Sequence, residues 1–219
     1  MTRSKKDIAY EYLRQRIISC ELKPGDYLDE QEVAQSLGIS RTPVREAVNR
    51  LAEEKLLQLM PRKGVVVSQL SVKDAFDMLE TRQMVEPEIL RKAFPNLDRE
   101  SVTRYRDYVV SKIESKDATT EEVSRDFDFE LHMYFAERTG NSCLVDIMKM
   151  LMTQNQRVRA VMASIRSERV RDACREHLTI LDAILAGDEE KAVEAMRLHQ
   201  ANAIEDFRHH YRTRQAFFM

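Results

Sequence analysis

Three histidines and one aspartate in the second half of the chain have the residue types and surroundings of a metal site. His177 and His199 each lie near the middle of a helical pattern and have apolar neighbours. His132 follows Asp128 by four residues, which places both side chains on one face of a helix. A buried polar group needs a partner, and one divalent metal ion would satisfy all four groups at once. We therefore take Asp128, His132, His177 and His199 as candidate metal ligands.

Spacing alone leaves other interpretations of these residues open. A histidine inside a helix is more often a hydrogen-bonded core residue, and the long separations between the histidines cannot be converted to distances. Cys174, Glu130 and Glu176 are rival ligands, although we expect Cys174 to pack as a small apolar group. Three imidazoles and one carboxylate favour Zn or Ni and also suit Mn or Co. An open metal position would fit a hydrolase too, but no convincing base or nucleophile accompanies the ligands, and we predict that the chain is not an enzyme.

The elements that must position these ligands are helices. Hydrophobic residues make up 43% of the 219 residues and charged residues 33%, which is typical of a globular protein. Five Gly and five Pro leave little room for turns, so we predict a mainly α protein. Beyond Ser71 the pattern predicts an antiparallel all-α bundle of about six helices, with a kink at Pro87. The predicted helices are 71–93, 98–116, 120–138, 142–165, 167–186 and 188–212.

Length and composition also limit the class of protein. Two domains of ordinary size are expected in 219 residues, and we place them at 1–70 and 71–219. The sequence has neither a long apolar run nor a signal peptide, so no membrane partner is expected. Three widely spaced cysteines indicate a reducing compartment, and the expected localisation is therefore cytoplasmic.

The stretch 37–51 reads as a turn followed by an amphipathic helix. Gly38 can adopt the positive φ that ends a preceding helix, Ser40 or Thr42 can cap the next one, and Pro43 fits its first turn. Apolar residues recur at helical spacing and form a buried stripe, namely Val44, Ala47, Val48 and Leu51. The remaining positions carry long or polar side chains that suit phosphates and guanine edges in a DNA major groove, namely Arg41, Thr42, Arg45 and Asn49.

The surrounding pattern completes a winged helix-turn-helix. Helices are predicted over 4–19, 30–37 and 43–57, with Asp29 as the cap of the second. Two short apolar runs, 57–60 and 65–68, flank a turn at 61–64 and predict a β-hairpin. Arg62 and Lys63 at the tip of this wing would lie along the DNA backbone or in the minor groove.

Three stretches of the chain resemble a known family. The sequence from Leu37 to Ala47 resembles the helix-turn-helix of GntR-family bacterial transcription regulators. The segments 128–132, 139–144 and 176–188, with Ala192, Met196 and His199, resemble the all-helical ligand-binding (FCD) domain of its FadR-type branch. The resemblance covers nearly the whole chain, and the motifs occur in the expected order.

The resemblance implies a ligand set and a class of effector. In related proteins an Asp and three His that match Asp128, His132, His177 and His199 hold a divalent metal. The effector of many members is an organic or sugar acid whose carboxylate meets that metal. Arg82 matches an arginine that often faces the effector pocket, and a surface or interface role is the alternative. Arg157 and Arg159 are weaker candidates, and Leu131 replaces the phenylalanine usual before the first metal histidine.

The resemblance also implies a DNA-binding regulator. A homodimer is expected to bind a pseudo-palindromic double-stranded operator, most simply as a repressor, and to release it or change its grip when a small carboxylate binds. Ser40, Arg41 and Arg45 match family residues that touch phosphates or guanine edges, and Lys63 with Gly64 matches the wing tip. Gln31 stands where some members have a DNA-contacting arginine. The alternative is a regulator in which the metal ion itself is the signal.

Overall fold

The structure is a computed structural model that describes residues 3–114, 121–162 and 167–213. The chain forms two compact units, Met1–Ser71 and Val72–Met219. The predicted fold class, mainly α with a winged helix-turn-helix followed by an all-α part, is confirmed. The first unit contains α1 (Lys5–Ile18), β1 (Tyr27–Leu28), α2 (Glu30–Leu37), α3 (Arg41–Glu53), β2 (Leu57–Met60) and β3 (Gly64–Val67).

The turn between α2 and α3 forms around the residues that the sequence singles out. The Asp29 carboxylate caps α2 by accepting a hydrogen bond from the Gln31 N–H at 2.7 Å. Gly38 ends α2 in the left-handed region with φ 63°, as predicted. Ser40 precedes α3, but its side chain makes no capping hydrogen bond. Thr42 lies inside the helix rather than at its cap, because α3 begins at Arg41, two residues earlier than predicted.

The end of α3 also differs from the prediction. The helix stops at Glu53 rather than Leu57, since Lys55 has a φ of 59° and cannot continue a right-handed helix. Leu56 is fully buried and Leu57 starts β2, so these two leucines join the core from outside the helix. The predicted apolar stripe of α3 is confirmed, because its four members are at most 1% exposed, namely Val44, Ala47, Val48 and Leu51.

The wing is a three-stranded antiparallel sheet in the order β1-β3-β2. The predicted hairpin is present, with Leu57 opposite Val67 and Met60 opposite Gly64. The sequence does not predict β1, because two residues are too short to show a period-2 pattern. In the structure Leu28 of β1 pairs with Val65 of β3, and both side chains belong to the core of the first unit.

The second unit is a helical bundle. α4 runs unbroken through Pro87, the site of the predicted kink. α9 packs against α4 and α8, α6 packs against α7 and α4, and α5 packs against α8. The predicted extensions to residues 116 and 165 lie outside the described residues. The helices are α4 (Val72–Ala93), α5 (Arg99–Glu114), α6 (Glu121–Arg138), α7 (Ser142–Met162), α8 (Ser167–Leu185) and α9 (Glu189–Thr213), and a 3₁₀ turn at Phe94–Asn96 follows α4.

Within the described ranges, none of these helices combines the length and the apolar character needed to cross a membrane.

Candidate metal centre and nucleic-acid interface

The four candidate metal ligands converge inside the second unit, and we call them the ligand cluster. Asp128 and His132 come from α6, His177 from α8 and His199 from α9. All four side chains are buried, and each offers one ligand atom within 4.8 Å of the other three. The Nε2 atoms of His132 and His177 are 3.3 Å apart. The Oδ1 atom of Asp128 is 3.5 Å from the Nε2 atom of His177 and 3.7 Å from that of His132.

Neighbouring side chains hold the outward-facing atoms of the ligand cluster. Nδ1 of His132 is hydrogen-bonded to the carboxylate of Glu86. Nδ1 of His199 is 2.7 Å from an oxygen of Glu176, whose other oxygen accepts a bond from Asn202. A carboxylate partner fixes Nδ1 as the protonated nitrogen of each ring and leaves the Nε2 lone pair free to face the centre.

The aspartate of the ligand cluster is held in the same way. Its Oδ2 atom accepts a hydrogen bond from Asn155 at 3.0 Å and lies 3.4 Å from the guanidinium of Arg159. Oδ1 is left to face the histidines. Supporting contacts of this kind orient the ligands in metal sites.

The protonation states of the cluster suit a cation. Burial, followed by the charge on His199, lowers the pKa of His177 well below its ordinary value. Burial also lowers the pKa of His199, although Glu176 acts in the opposite direction. Burial alone would raise the pKa of Asp128, but Arg159 and His132 outweigh it and hold the carboxyl ionised. Imidazole nitrogens and an ionised carboxylate turned toward one point are the donor set that Zn²⁺ and Ni²⁺ accept.

The three rival ligands lie outside the ligand cluster. Cys174 is buried, its thiol pKa is raised by burial, and it packs as a small apolar group. Glu176 supports His199 rather than joining the cluster, and Glu130 is exposed on another surface. Leu131 is fully buried, consistent with a change in packing alone.

A cavity of about 50 Å³ lies beside the ligand cluster. A water molecule needs roughly 10–15 Å³ of such space, so the cavity has room for a few small polar groups. Polar side chains line one part of it, namely Arg82, Asp128, Asn155, Arg159 and His199, with Phe207 among the apolar ones. Arg82 is only 2% exposed, and within the described residues its NH2 group has no hydrogen-bond partner. An unpaired buried donor is costly, so this nitrogen is suited to an anion.

Arg82 is tied to the ligand cluster through Glu86. The Nε atom of Arg82 donates to one oxygen of Glu86, and the other oxygen bonds His132. Burial alone would raise the pKa of Glu86, but Arg82 and His132 outweigh it and hold it at about 2. Of the two weaker arginine candidates, Arg159 lines the cavity, whereas Arg157 is buried and donates to Gln154.

Glu86 and Asn155 belong to the site but were not predicted from the sequence. Each has a partial signal, because Glu86 follows Arg82 by four residues on α4 and Asn155 precedes Arg159 by four residues on α7. Such a spacing places two side chains on one face but does not say what that face meets.

The candidate DNA-binding residues lie on the surface of the first unit. Ser40, Arg41, Thr42 and Arg45 are exposed at the start of α3. Lys63 is exposed in the turn after β2, and Gly64 is exposed as the first residue of β3. Gly64 has a φ of 97°, which favours glycine. A groove between α3 and the wing brings Arg41, Arg45 and Gly64 to one surface, and we call it the reading groove. Ser40, Thr42 and Lys63 are not among the residues that line it.

Comparison with known proteins decides the family. The sequence profile of bacterial regulatory proteins of the gntR family matches residues 5–67, and that of the FCD domain matches residues 77–202. The chain belongs to the GntR family. It is 33% identical over 205 residues to an HTH-type transcriptional regulator in an unstable DNA locus of Streptomyces ambofaciens, covering 93% of this chain and 84% of that one.

Other relatives agree with this assignment. The Nta operon transcriptional regulator of Aminobacter aminovorans is 29% identical over 142 residues, covering 65% of this chain and 66% of that one. The fold is shared with E. coli McbR/YncC, with TM-score 0.77, 18% identity and coverage of 96% and 100% of the two chains. A putative GntR regulator from Rhodococcus sp. RHA1 gives TM-score 0.76 at 23% identity, covering 94% and 98%. The protein is thus a GntR-family transcriptional regulator with an FCD domain, and not an enzyme.

Proposed function

We propose that this GntR-family regulator binds operator DNA as a homodimer and changes its grip when a small carboxylate joins a divalent metal. In this proposal 1–70 is the DNA-binding domain and 71–219 the effector- and metal-binding domain. The observation that carries it is the ligand cluster, in which four buried ligand atoms lie within 4.8 Å of one another. Supporting side chains hold three of the four ligands by their outward atoms.

The metal would be held by Asp128, His132, His177 and His199. Zn or Ni is favoured by three nitrogens and one oxygen, and Mn or Co is possible. When bound, the ion supplies positive charge and open positions for oxygen ligands. The chain itself contributes the Arg82 guanidinium on the wall of the adjoining cavity, where its unpaired NH2 group can donate to a carboxylate oxygen. The proposed effector is therefore a small organic or sugar acid.

On the DNA side, α3 would enter the major groove. Arg41 and Arg45 project from the exposed face of its first turns and can reach guanine edges or phosphates. Ser40, Thr42 and Lys63 would contact phosphates, and Gly64 would let the wing backbone approach the DNA closely. Two such helices in a homodimer would read half-sites about one helical turn apart. Occupation of an operator would make the protein a repressor in its simplest mode of action.

Metal content gives the first test. Purified protein loaded with Zn²⁺ and dialysed should hold about one equivalent per chain by mass spectrometry of the metal. His177→Ala should lose it, because the site then has too few ligands. His209→Ala removes an exposed histidine of the same chain and should keep the metal. Equal metal content in both variants would rule out the ligand cluster as the site.

Effector binding gives the second test. A panel of sugar acids and dicarboxylic acids should raise the melting temperature of the metal-loaded protein and leave the metal-free protein unchanged. The same acids should then change the affinity for operator DNA. Equal stabilisation of the metal-loaded and metal-free protein would show that effector binding does not require the metal. A change of DNA affinity on chelation alone, with no response to any acid, would instead support the alternative in which the metal is the signal.

A further inference from the structure

A carboxylate faces the two arginines of the reading groove. Glu30 is the first residue of α2, and its side chain is only 12% exposed. One of its oxygens, Oε2, lies 3.2 Å from Nη2 of Arg45 and 3.6 Å from Nη2 of Arg41. The arginine side chains are themselves 65% and 58% exposed. One oxygen of a largely covered side chain thus contacts two solvent-facing guanidinium groups.

Two other acidic residues line the same groove and differ from Glu30. Asp29 is engaged by the backbone, because its Oδ1 accepts from the N–H groups of Gln31 and Glu32 and caps α2. Glu32 is exposed, and across the described residues its carboxylate takes part in no ion pair. Glu30 is therefore the acidic residue of the groove that acts on the arginines.

The contact affects phosphates and bases differently. A guanidinium has five N–H donors, so Arg45 can keep one N–H on Glu30 and still present two others to a guanine edge. A phosphate that draws the two arginines away from α2 takes the place of Glu30 as their partner. The Glu30 carboxylate is then left unpaired close to the negatively charged DNA backbone. An exposed ion pair is weak, so this replacement is possible, but it lowers the affinity for DNA that offers only phosphates.

We propose that Glu30 is a specificity-determining residue of the DNA-reading surface. It orients Arg45 toward a base edge and opposes sequence-independent binding of both arginines to phosphates. This inference rests on the proposed function, in which α3 reads the operator.

The test compares two variants that lose the same charge from the same helix and the same groove, Glu30→Gln and Glu32→Gln. The probes are a duplex enriched by the wild-type protein from a random-sequence library and a scrambled duplex of equal composition. Dissociation constants are measured by fluorescence anisotropy at several salt concentrations. Glu30→Gln should reduce the ratio of enriched to scrambled affinity by about tenfold relative to Glu32→Gln, the size of one base contact. For Glu30→Gln on the scrambled duplex, the slope of log affinity against log salt concentration should steepen by about 0.9 for each new phosphate contact.

Arg45→Ala separates the possible failures. If Arg45→Ala weakens binding to the enriched duplex while Glu30→Gln and Glu32→Gln behave alike, Glu30 is only a general charge and the inference is overturned. If Arg45→Ala leaves both affinities unchanged, the reading role of α3 fails and the inference fails with it. A lower affinity ratio in Glu30→Gln alone supports the inference.

Discussion

The reading groove and the ligand cluster both place a carboxylate against cationic groups, but in opposite surroundings. Glu30 holds Arg41 and Arg45, whose side chains are more than half exposed. Glu86 holds Arg82 and His132, whose side chains are 3% and 0% exposed. In water such a pair is weak and can be exchanged for another partner. In the interior each group depends on the other, because neither can turn to water.

This difference matches the two tasks that we propose. A surface that reads DNA must be able to share its charged side chains with bases and to exchange its internal partners for phosphates, so weak contacts suit it. A metal site must keep its ligands in one orientation before the ion arrives, so buried contacts with no solvent alternative suit it. The same residue types thus give an exchangeable surface in one unit and a fixed arrangement in the other.

Neutralising each carboxylate tests this comparison directly and gives the largest expected effect. Glu86→Gln leaves Arg82 buried without its charged partner and should lower the free energy of unfolding by about 3–5 kcal/mol. Glu30→Gln removes the same charge at the surface and should cost no more than about 1 kcal/mol. Urea unfolding followed by circular dichroism measures both. Similar costs for the two variants would show that burial does not distinguish these pairs.

The comparison also shows what the sequence can and cannot predict about the fold. The apolar stripe of α3 follows from its spacing, because a helical period decides which side chains face the core. The end of α3 does not follow, since the positive φ of Lys55 is set by how the chain enters the sheet. β1 cannot be predicted from the sequence either, because a two-residue strand is defined by its pairing with β3 rather than by its own pattern.

In the candidate metal site, too, spacing predicts some contacts and the packing of helices decides the others. Asp128 and His132 share a helix face by spacing alone, which the structure bears out at 3.7 Å. His177 and His199 reach them only through the packing of α8 and α9, and no spacing encodes that distance. The apolar neighbours of these two histidines suggested them as ligands, and the resemblance to a family strengthened this part of the prediction. Glu86 was missed because a supporting partner is recognised only once its neighbour across the bundle is known.

A second prediction concerns the support of the ligand cluster, with an effect of intermediate size. Glu176→Gln removes the negative charge that faces Nδ1 of His199 and should weaken Zn²⁺ binding about 10–100-fold, as is typical for such partners. Glu88→Gln makes the same change at a side chain that is 58% exposed and paired with Arg197, and should leave Zn²⁺ affinity unchanged. Competition with a chromogenic chelator measures both. Equal Zn²⁺ affinity in the two variants would mean that the carboxylate of Glu176 does not support His199.

The third prediction concerns Arg45 in the exposed reading groove. Its conservative variant, Arg45→Lys, has the smallest expected effect. Arg45→Ala should weaken binding to the enriched duplex by roughly 1–3 kcal/mol, because a bidentate contact to guanine would be lost. Arg45→Lys keeps the charge but not the planar fork, so it should retain affinity for the scrambled duplex and lose it for the enriched one. Fluorescence anisotropy with both duplexes separates the two properties. Full recovery by lysine on the enriched duplex would assign Arg45 to a phosphate instead of a base, and the groove would then bind DNA through charge alone.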